Sequence, residues 1–238
     1  MCAFAGGRNR IEKRRPRNCC MTFTASPAFY SSLRHQMVNA QLRARGVTDE
    51  RVLAAMERVP RHEFAPERYR EQAYQDHPLP IGEGQTISQP FIVALMLEAL
   101  ELSPTDRVLE IGTGSGYVTA LLAELTAQVI SVERHASLAD SARAMLATLG
   151  YSNIKAVTGD GTRGFPEAAP YDAIIVSAAA PEMPPPLLVQ LAEGGRMIIP
   201  IGTDDAQQLR LVRMEKGQPK IQFRELCRFV PLIPGVGS

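Results

Sequence analysis

Apolar side chains recur at spacings of three and four along Phe29, Leu33, Met37, Ala40 and Ala44, which predicts one amphipathic helix ending at Gly46. Val52, Met56 and Val59 form a second stripe, entered through Thr48 or Asp49 and stopped by Pro60. Residues 60–90 lose this periodicity, and their Pro and Gly content predicts an irregular segment. A helix follows over 91–102. From there the pattern alternates, predicting strands over 107–111, 128–132, 154–158, 173–176 and 197–199, with helices over 117–125, 137–149 and 187–191 between them. Strands alternating with helices imply right-handed crossovers and a mainly parallel sheet. The tail differs: apolar runs over 209–214 and 221–230 flank Lys216-Gly217-Gln218-Pro219, a hairpin signal. The expected architecture is therefore α/β, a parallel sheet with an antiparallel C-terminal edge and helices at the N-terminus.

Composition narrows the class. The 238 residues are 45% hydrophobic and 21% charged, inside the globular range and long enough to bury a core. Lys plus Arg number 26 and Asp plus Glu 25, so the clear basic excess of a dedicated nucleic-acid binder is missing. The balance hides an asymmetry. Residues 1–21 hold six basic residues against the single acid Glu12, and the remainder carries a net −4. The leader lacks the apolar run of a secretory signal and is expected to be a disordered tail. Residues 22–238 are expected to form one domain, with helices and a substrate loop over 22–103 and the core over 104–238. Cys2, Cys19 and Cys20 lie in the leader and Cys227 stands alone, which is no disulfide framework and points to a reducing, cytoplasmic setting. The longest apolar stretch is broken by Glu98 and Glu101 and is too short to span a bilayer. The four histidines show no metal-ligand spacing, so no metal is expected.

The most informative stretch is Val108-Leu109-Glu110-Ile111-Gly112-Thr113-Gly114-Ser115-Gly116-Tyr117. A buried strand delivers a glycine-rich turn directly into a helix, at the sheet edge where open α/β folds bind ligands. The third glycine of a dinucleotide fingerprint would fall at Tyr117, so the spacing here is G-x-G-x-G instead. Glu110 beside the turn would repel a pyrophosphate but suits an ammonium group. Glu133 ends the second strand, where a carboxylate can take both hydroxyls of a ribose. Asp160, between Gly159 and Gly161, can accept from an adenine amino group, although an Asx-turn would also explain it. Ribose, adenine and a cationic amino-acid part without phosphate together describe S-adenosylmethionine, held at Gly112, Gly114, Ser115 and the three acids. The expected fold class is then a Rossmann-like class I methyltransferase.

Residues 37–233 also resemble the protein-L-isoaspartate O-methyltransferase family. The resemblance rests on Leu79-Pro80-Ile81-Gly82-Glu83-Gly84-Gln85-Thr86-Ile87-Ser88-Gln89-Pro90, the glycine turn, Gly159-Asp160-Gly161 and Arg228-Phe229-Val230-Pro231-Leu232. It implies that Ser88 is the active-site serine, touching both cofactor and acceptor, and that Gln85, Thr86 and Ile87 fold over the cofactor. It places Glu110, Ser115, Glu133, Asp160 and Gly161 at cofactor contacts, and gives the Val230 main chain a grip on the acceptor segment. The implied reaction methylates the α-carboxyl group of L-isoaspartyl residues in damaged proteins, releasing S-adenosyl-L-homocysteine and opening repair through a succinimide. Isoaspartyl proteins and peptides are thus the expected partners, with no nucleic acid or membrane, and a monomer is expected. The cationic leader and Val93, where some relatives carry His, depart from the family's pattern.

Chemistry agrees with that implication. An α-carboxyl group, with a pKa of roughly 3.5, is already ionised at neutral pH, so methyl transfer to it needs alignment and water exclusion rather than a strong base. A neutral hydroxyl such as Ser88 holds a carboxylate without over-stabilising it, as Lys or Arg would. Its position before Gln89-Pro90 is equally that of a helix N-cap. Ala178-Ala179-Ala180-Pro181 is a candidate apolar wall beside the methyl group, and Asp172 and Cys227 read as a turn cap and packing. A methyltransferase for small molecules or nucleic acids, and a cofactor-binding regulator, are the competing readings.

Overall fold

The computed structural model describes Met1 and residues 26–203 and 206–237; Cys2, Cys19, Cys20 and the rest of the basic leader lie outside the described residues. Helix α1 (Pro27–Gln36) starts at Ser26, whose hydroxyl accepts from the Phe29 amide. The helical path then widens into a π-turn over Met37–Leu42 and tightens into a 3₁₀ turn over Arg43–Arg45, ending on left-handed Gly46. The wider turn rotates the buried face. Met37, Val38 and Leu42 are buried, whereas Ala40 and Ala44 are exposed, so the regular stripe expected over 29–44 does not persist. Helix α2 (Glu50–Arg58) is capped by the Asp49 carboxylate, which accepts from the amides of Arg51 and Val52.

The segment expected to be irregular holds more order than its composition reveals. Two 3₁₀ turns, Arg61–Phe64 and Glu67–Gln72, precede a small antiparallel hairpin of β1 (Leu79–Gly82) and β2 (Gln85–Ile87). Leu79 and Ile87 are paired and buried, while positive φ angles at Gly82, Glu83 and Gly84 make the turn. Helix α3 (Pro90–Ala99) is shorter than expected, because Glu101 takes a left-handed conformation that cannot continue it.

The core follows in the expected alternation: β3 (Arg107–Ile111), α4 (Tyr117–Leu125), β4 (Gln128–Glu133), α5 (Ala136–Thr148), β5 (Ile154–Thr158), β6 (Tyr171–Val176) and α6 (Pro185–Leu188). Strands β7 (Leu191–Thr203), β8 (Ala206–Glu215) and β9 (Gln218–Cys227) complete one sheet of order β5-β4-β3-β6-β7-β8-β9. Its first five strands are parallel, and the last two pairings are antiparallel. Two expectations need correction here. β7 is far longer than the predicted 197–199 and begins at Leu191, which was assigned to the preceding helix; Gly194, Gly195 and Pro200 interrupt its apolar pattern. β9 stops at Cys227, short of Val230, because the chain turns away to cross the end of the sheet.

Alternate side chains of each strand enter different layers. Val108, Val129, Ala173, Ile175, Ile198 and Leu211 pack with the helices α2, α3 and α4. Leu109, Ile111, Ile130, Ile174, Val176, Met197 and Val212 form the other layer with Leu187 of α6. Such two-sided burial is why the parallel strands read as continuous apolar runs. The half-buried Arg196 of β7 fastens β7 to the chain before β3, donating to Asp106 at 2.7 Å and to the carbonyls of Leu100, Glu101 and Asp172. Asp172 in turn accepts from the Arg107 amide, a joining rather than a chemical role.

Candidate active site

Main-chain pairing continues past the strand ends and holds three loops side by side. The Gly112 amide donates to Val132, the Ser177 amide to Ile111 and the Gly159 amide to Glu133. The glycine turn then reverses through positive φ at Gly112, Gly114 and Gly116, a conformation that side chains oppose. These loops and the β1–β2 hairpin line a cavity that opens to solvent, with about 800 Å³ of empty space counting its open mouth. Gln85, Thr86, Ile87, Ser88, Gly112, Gly114, Ser115, Glu133, Gly161 and Val230, all expected at the site, line it together.

Glu133 is nearly enclosed, and its two oxygens accept from the amides of Gly114 (2.9 Å) and His135 (3.0 Å). Each oxygen keeps a further lone pair toward the cavity. Gly161 is required by close approach: a Cβ there would stand 2.5 Å from Ile111 Cγ2. Residues given no site role by sequence reading also line the cavity, among them Arg134, His135, Ser177 and Ile233. His135 Nδ1 is shielded from solvent and lies 3.9 Å from Glu83 Oε2 in the hairpin turn. Of the candidate alanine wall, Ala178 faces the cavity; Ala179 instead exchanges main-chain hydrogen bonds with Val230 and Leu232.

Two of the three acids fall outside this lining. Glu110 is fully buried, and its Oε1 has no hydrogen-bond partner. It shares a face of β3 with Val108, so its Oε2 is turned to the hydroxyls of Thr119 and Ser131, both at 2.6 Å. Burial pushes its pKa up to about 8, against the lowering effect of those two hydroxyls. Ser131 Oγ lies 2.5 Å from Thr113 Oγ1, so this buried network reaches the glycine turn from beneath. Asp160 also lies outside the cavity lining. Its Oδ1 accepts from the Thr162 amide and hydroxyl, the Asx-turn that the sequence left open. Burial raises its pKa, but the hydroxyl and amide of Thr162 and the amide of Gly235 outweigh this and hold it below the ordinary value.

A second pocket adjoins this cavity. It is lined by Pro78, Gln89, Ile92 and residues 226–229, and it shares Thr86, Ser88, Ser177 and Val230 with the first. Ser88 therefore stands on the wall between the two. The N-cap position of α3 falls on Gln89, and the Asp76 carboxylate receives the Phe91 amide at 2.9 Å, so capping does not occupy the Ser88 hydroxyl. The Ser88 carbonyl accepts from Arg61 Nη2 at 2.9 Å. On the opposite wall, Gln207 clamps Phe229, accepting from its amide at 2.6 Å and donating to its carbonyl at 3.1 Å. Cys227 is half-buried and its thiol is pushed up to about 11 by burial, which leaves it protonated and unreactive.

The protein-L-isoaspartate(D-aspartate) O-methyltransferase (PCMT) family model matches residues 33–237. The chain belongs to this family. A protein-L-isoaspartate O-methyltransferase of Methanoculleus marisnigri is 57% identical over 205 residues, covering 86% of this chain and 93% of its own. One from Koribacter versatilis is 55% identical over 204 residues, covering 86% and 92%. Among solved structures, a protein-L-isoaspartate O-methyltransferase superposes with a TM-score of 0.78 at 32% identity, over 86% of this chain and 67% of that one. A PCMT from Plasmodium falciparum in complex with S-adenosyl-L-homocysteine gives 0.73 at 29% identity, over 86% and 98%. Among the described residues, no group of three His, Cys, Asp or Glu side chains is placed to hold a metal ion, and no helix is long and apolar enough to cross a membrane.

Proposed function

We propose that the larger cavity holds S-adenosylmethionine and that Ser88 meets the acceptor carboxylate from the wall it shares with the smaller pocket. The reaction is the family's own: methyl transfer to the α-carboxyl group of L-isoaspartyl residues. The observation that carries this division of the site is the shared wall of Thr86, Ser88, Ser177 and Val230.

The lining suits this cofactor. A carboxylate pinned by two amides offers its remaining lone pairs to ribose hydroxyls, and Gly161 lies so close to Ile111 that a Cβ there would displace this part of the lining. When bound, S-adenosylmethionine supplies an electrophilic methyl group on a sulfonium. The chain's own residues then have to bring a carboxylate into line with that group and keep water away. Ser88 orients the carboxylate with one neutral hydrogen bond, which preserves the nucleophilicity an ion pair would suppress. Val230, Leu232 and Ile233 complete an apolar rim against solvent. Reaching the carboxylate requires the acceptor chain to enter main chain first, so an exposed, flexible isoaspartyl segment is the substrate. The methyl ester then closes to a succinimide without further help from the enzyme.

The test is methyl transfer from labelled S-adenosylmethionine to two matched peptides, one with L-isoaspartate and one with L-aspartate. Label on the isoaspartyl peptide alone is expected; equal labelling of both would overturn the acceptor assignment.

A further inference from the structure

Arg61 is one of the largest fully buried side chains in the protein, and its guanidinium remains a cation at any physiological pH. Burying a charge costs several kcal/mol unless good partners answer it. Here the direct partners are two main-chain carbonyls and the Tyr117 ring, with the Asp76 carboxylate acting at longer range. Nε donates to the Ala73 carbonyl at 2.6 Å and Nη2 to the Ser88 carbonyl at 2.9 Å, while the guanidinium carbon lies 4.8 Å from the Tyr117 ring centroid. The Tyr117 hydroxyl also lies close enough to the guanidinium to interact with it, and both Nη1 and that hydroxyl are shielded from solvent. A neutral apolar side chain of similar size would leave both carbonyls without these donors, so the guanidinium fixes Ala73 and Ser88 at once.

We infer that Arg61 is a positioning residue for methyl transfer, which turns Ser88 toward the acceptor by gripping its carbonyl. Only Ser88 and Gln89 separate the end of β2 from the start of α3, so this link is short. Asp76 holds the α3 side through the Phe91 amide, and Arg61 holds the Ser88 carbonyl from the protein interior. With its carbonyl drawn inward by a charge-assisted bond, the Ser88 side chain is left to face the shared wall of the two pockets. Tyr117, the first residue of α4, follows the glycine turn and lines the cofactor cavity. One buried cation thus touches both the acceptor link and the cofactor-side helix.

This inference rests on the proposed role of Ser88, and a double-mutant cycle separates the two. Arg61→Met in the otherwise native enzyme is expected to lower kcat about 10²-fold, the scale of a misplaced reacting group, with S-adenosylmethionine affinity within about twofold. Arg61→Lys, which keeps a donor to Ser88, should recover part of that loss. In a Ser88→Ala background, the same Arg61 substitutions should cost less than about threefold, because no hydroxyl remains to be aimed. A slow Ser88→Ala enzyme that loses as much again on Arg61 substitution would overturn the positioning role alone. Full kcat in Ser88→Ala would overturn both readings. If Arg61→Met does not fold, Arg61→Lys in the two backgrounds decides by the same comparison.

Discussion

The cofactor side of the cavity stands on the ends of parallel strands, whereas the acceptor side hangs on segments far apart in the chain. β3, β4 and β6 end beside one another, and amides of the following residues extend the ladder into the loops. Most cofactor-side residues lie within a few positions of a buried strand. Ser88, by contrast, depends on Arg61, 27 residues earlier, and Val230 on Ala179 and on the Gln207 clamp of Phe229. The arrangement separates a preformed floor from an assembled wall. Floor substitutions should act on cofactor affinity, and wall substitutions on turnover or acceptor binding.

The sharpest way to break this comparison is Ser88→Ala. It should lower kcat on the order of 10²-fold, as loss of a single transition-state donor does, and leave S-adenosylmethionine binding within about twofold by calorimetry. A comparable loss of cofactor affinity with intact single-turnover chemistry would move Ser88 to the floor. Next in size is Gly161→Val, which drives side-chain atoms into Ile111. Overpacking of roughly 1–3 kcal/mol in stability predicts a lower Tm, and the displaced lining a weaker cofactor Kd, with little change in the acceptor KM at saturating cofactor. An unchanged cofactor Kd would remove Gly161 from the floor.

Gln207→Leu should act on the wall. It leaves the Phe229 amide and carbonyl without partners and frees the 228–233 segment. Raising the isoaspartyl-peptide KM about fivefold, with cofactor affinity unaltered, is the expected result. Equal weakening of both ligands would mean that the segment serves the floor as well.

The smallest effect on turnover is expected from Glu110→Gln, within about twofold at pH 7, because this acid supports the glycine turn rather than touching the cavity. Its signature is the pH dependence of stability. The unfolded carboxyl ionises near 4.5, whereas the folded one titrates at about 8. Between these values the folded state binds more protons, so its stability falls as pH rises through the window and the full penalty is present above about 8. Glu110→Gln should flatten the decline in Tm between pH 5 and pH 8. Identical slopes for the two proteins would show that Glu110 is already ionised in the fold.

The same division describes what could be read from the chain. The strand–glycine turn–helix of 107–125, the strand ending in Glu133 and the Asp49 cap of α2 are encoded by neighbouring residues, and all form as read. The β1–β2 hairpin escaped because strands of four and three residues carry too little alternation to register. The π-turn at Met37–Leu42 escaped because no local signal distinguishes a widened turn from a regular one. Glu110 shows the limit most clearly. Its distance from the glycines was legible, but its direction is set by which face of β3 meets α4, and that placed it under the loop beside Thr119.

The sequence by itself therefore determined the alternating α/β order, the glycine turn, the carboxylate at the end of β4 and the family to which the segments around Ser88 and Val230 point. Local chemistry suffices for these, since each is a run of residues whose backbone preferences agree. Only the tertiary structure decided that Ser88 is free of capping duty, that Arg61 grips its carbonyl, that His135 and Ile233 reach the cavity, and that Glu110 and Asp160 do not line it. Those outcomes depend on burial and on partners many residues away, and a charge such as that of Arg61 carries no mark in the sequence of what it will be folded against.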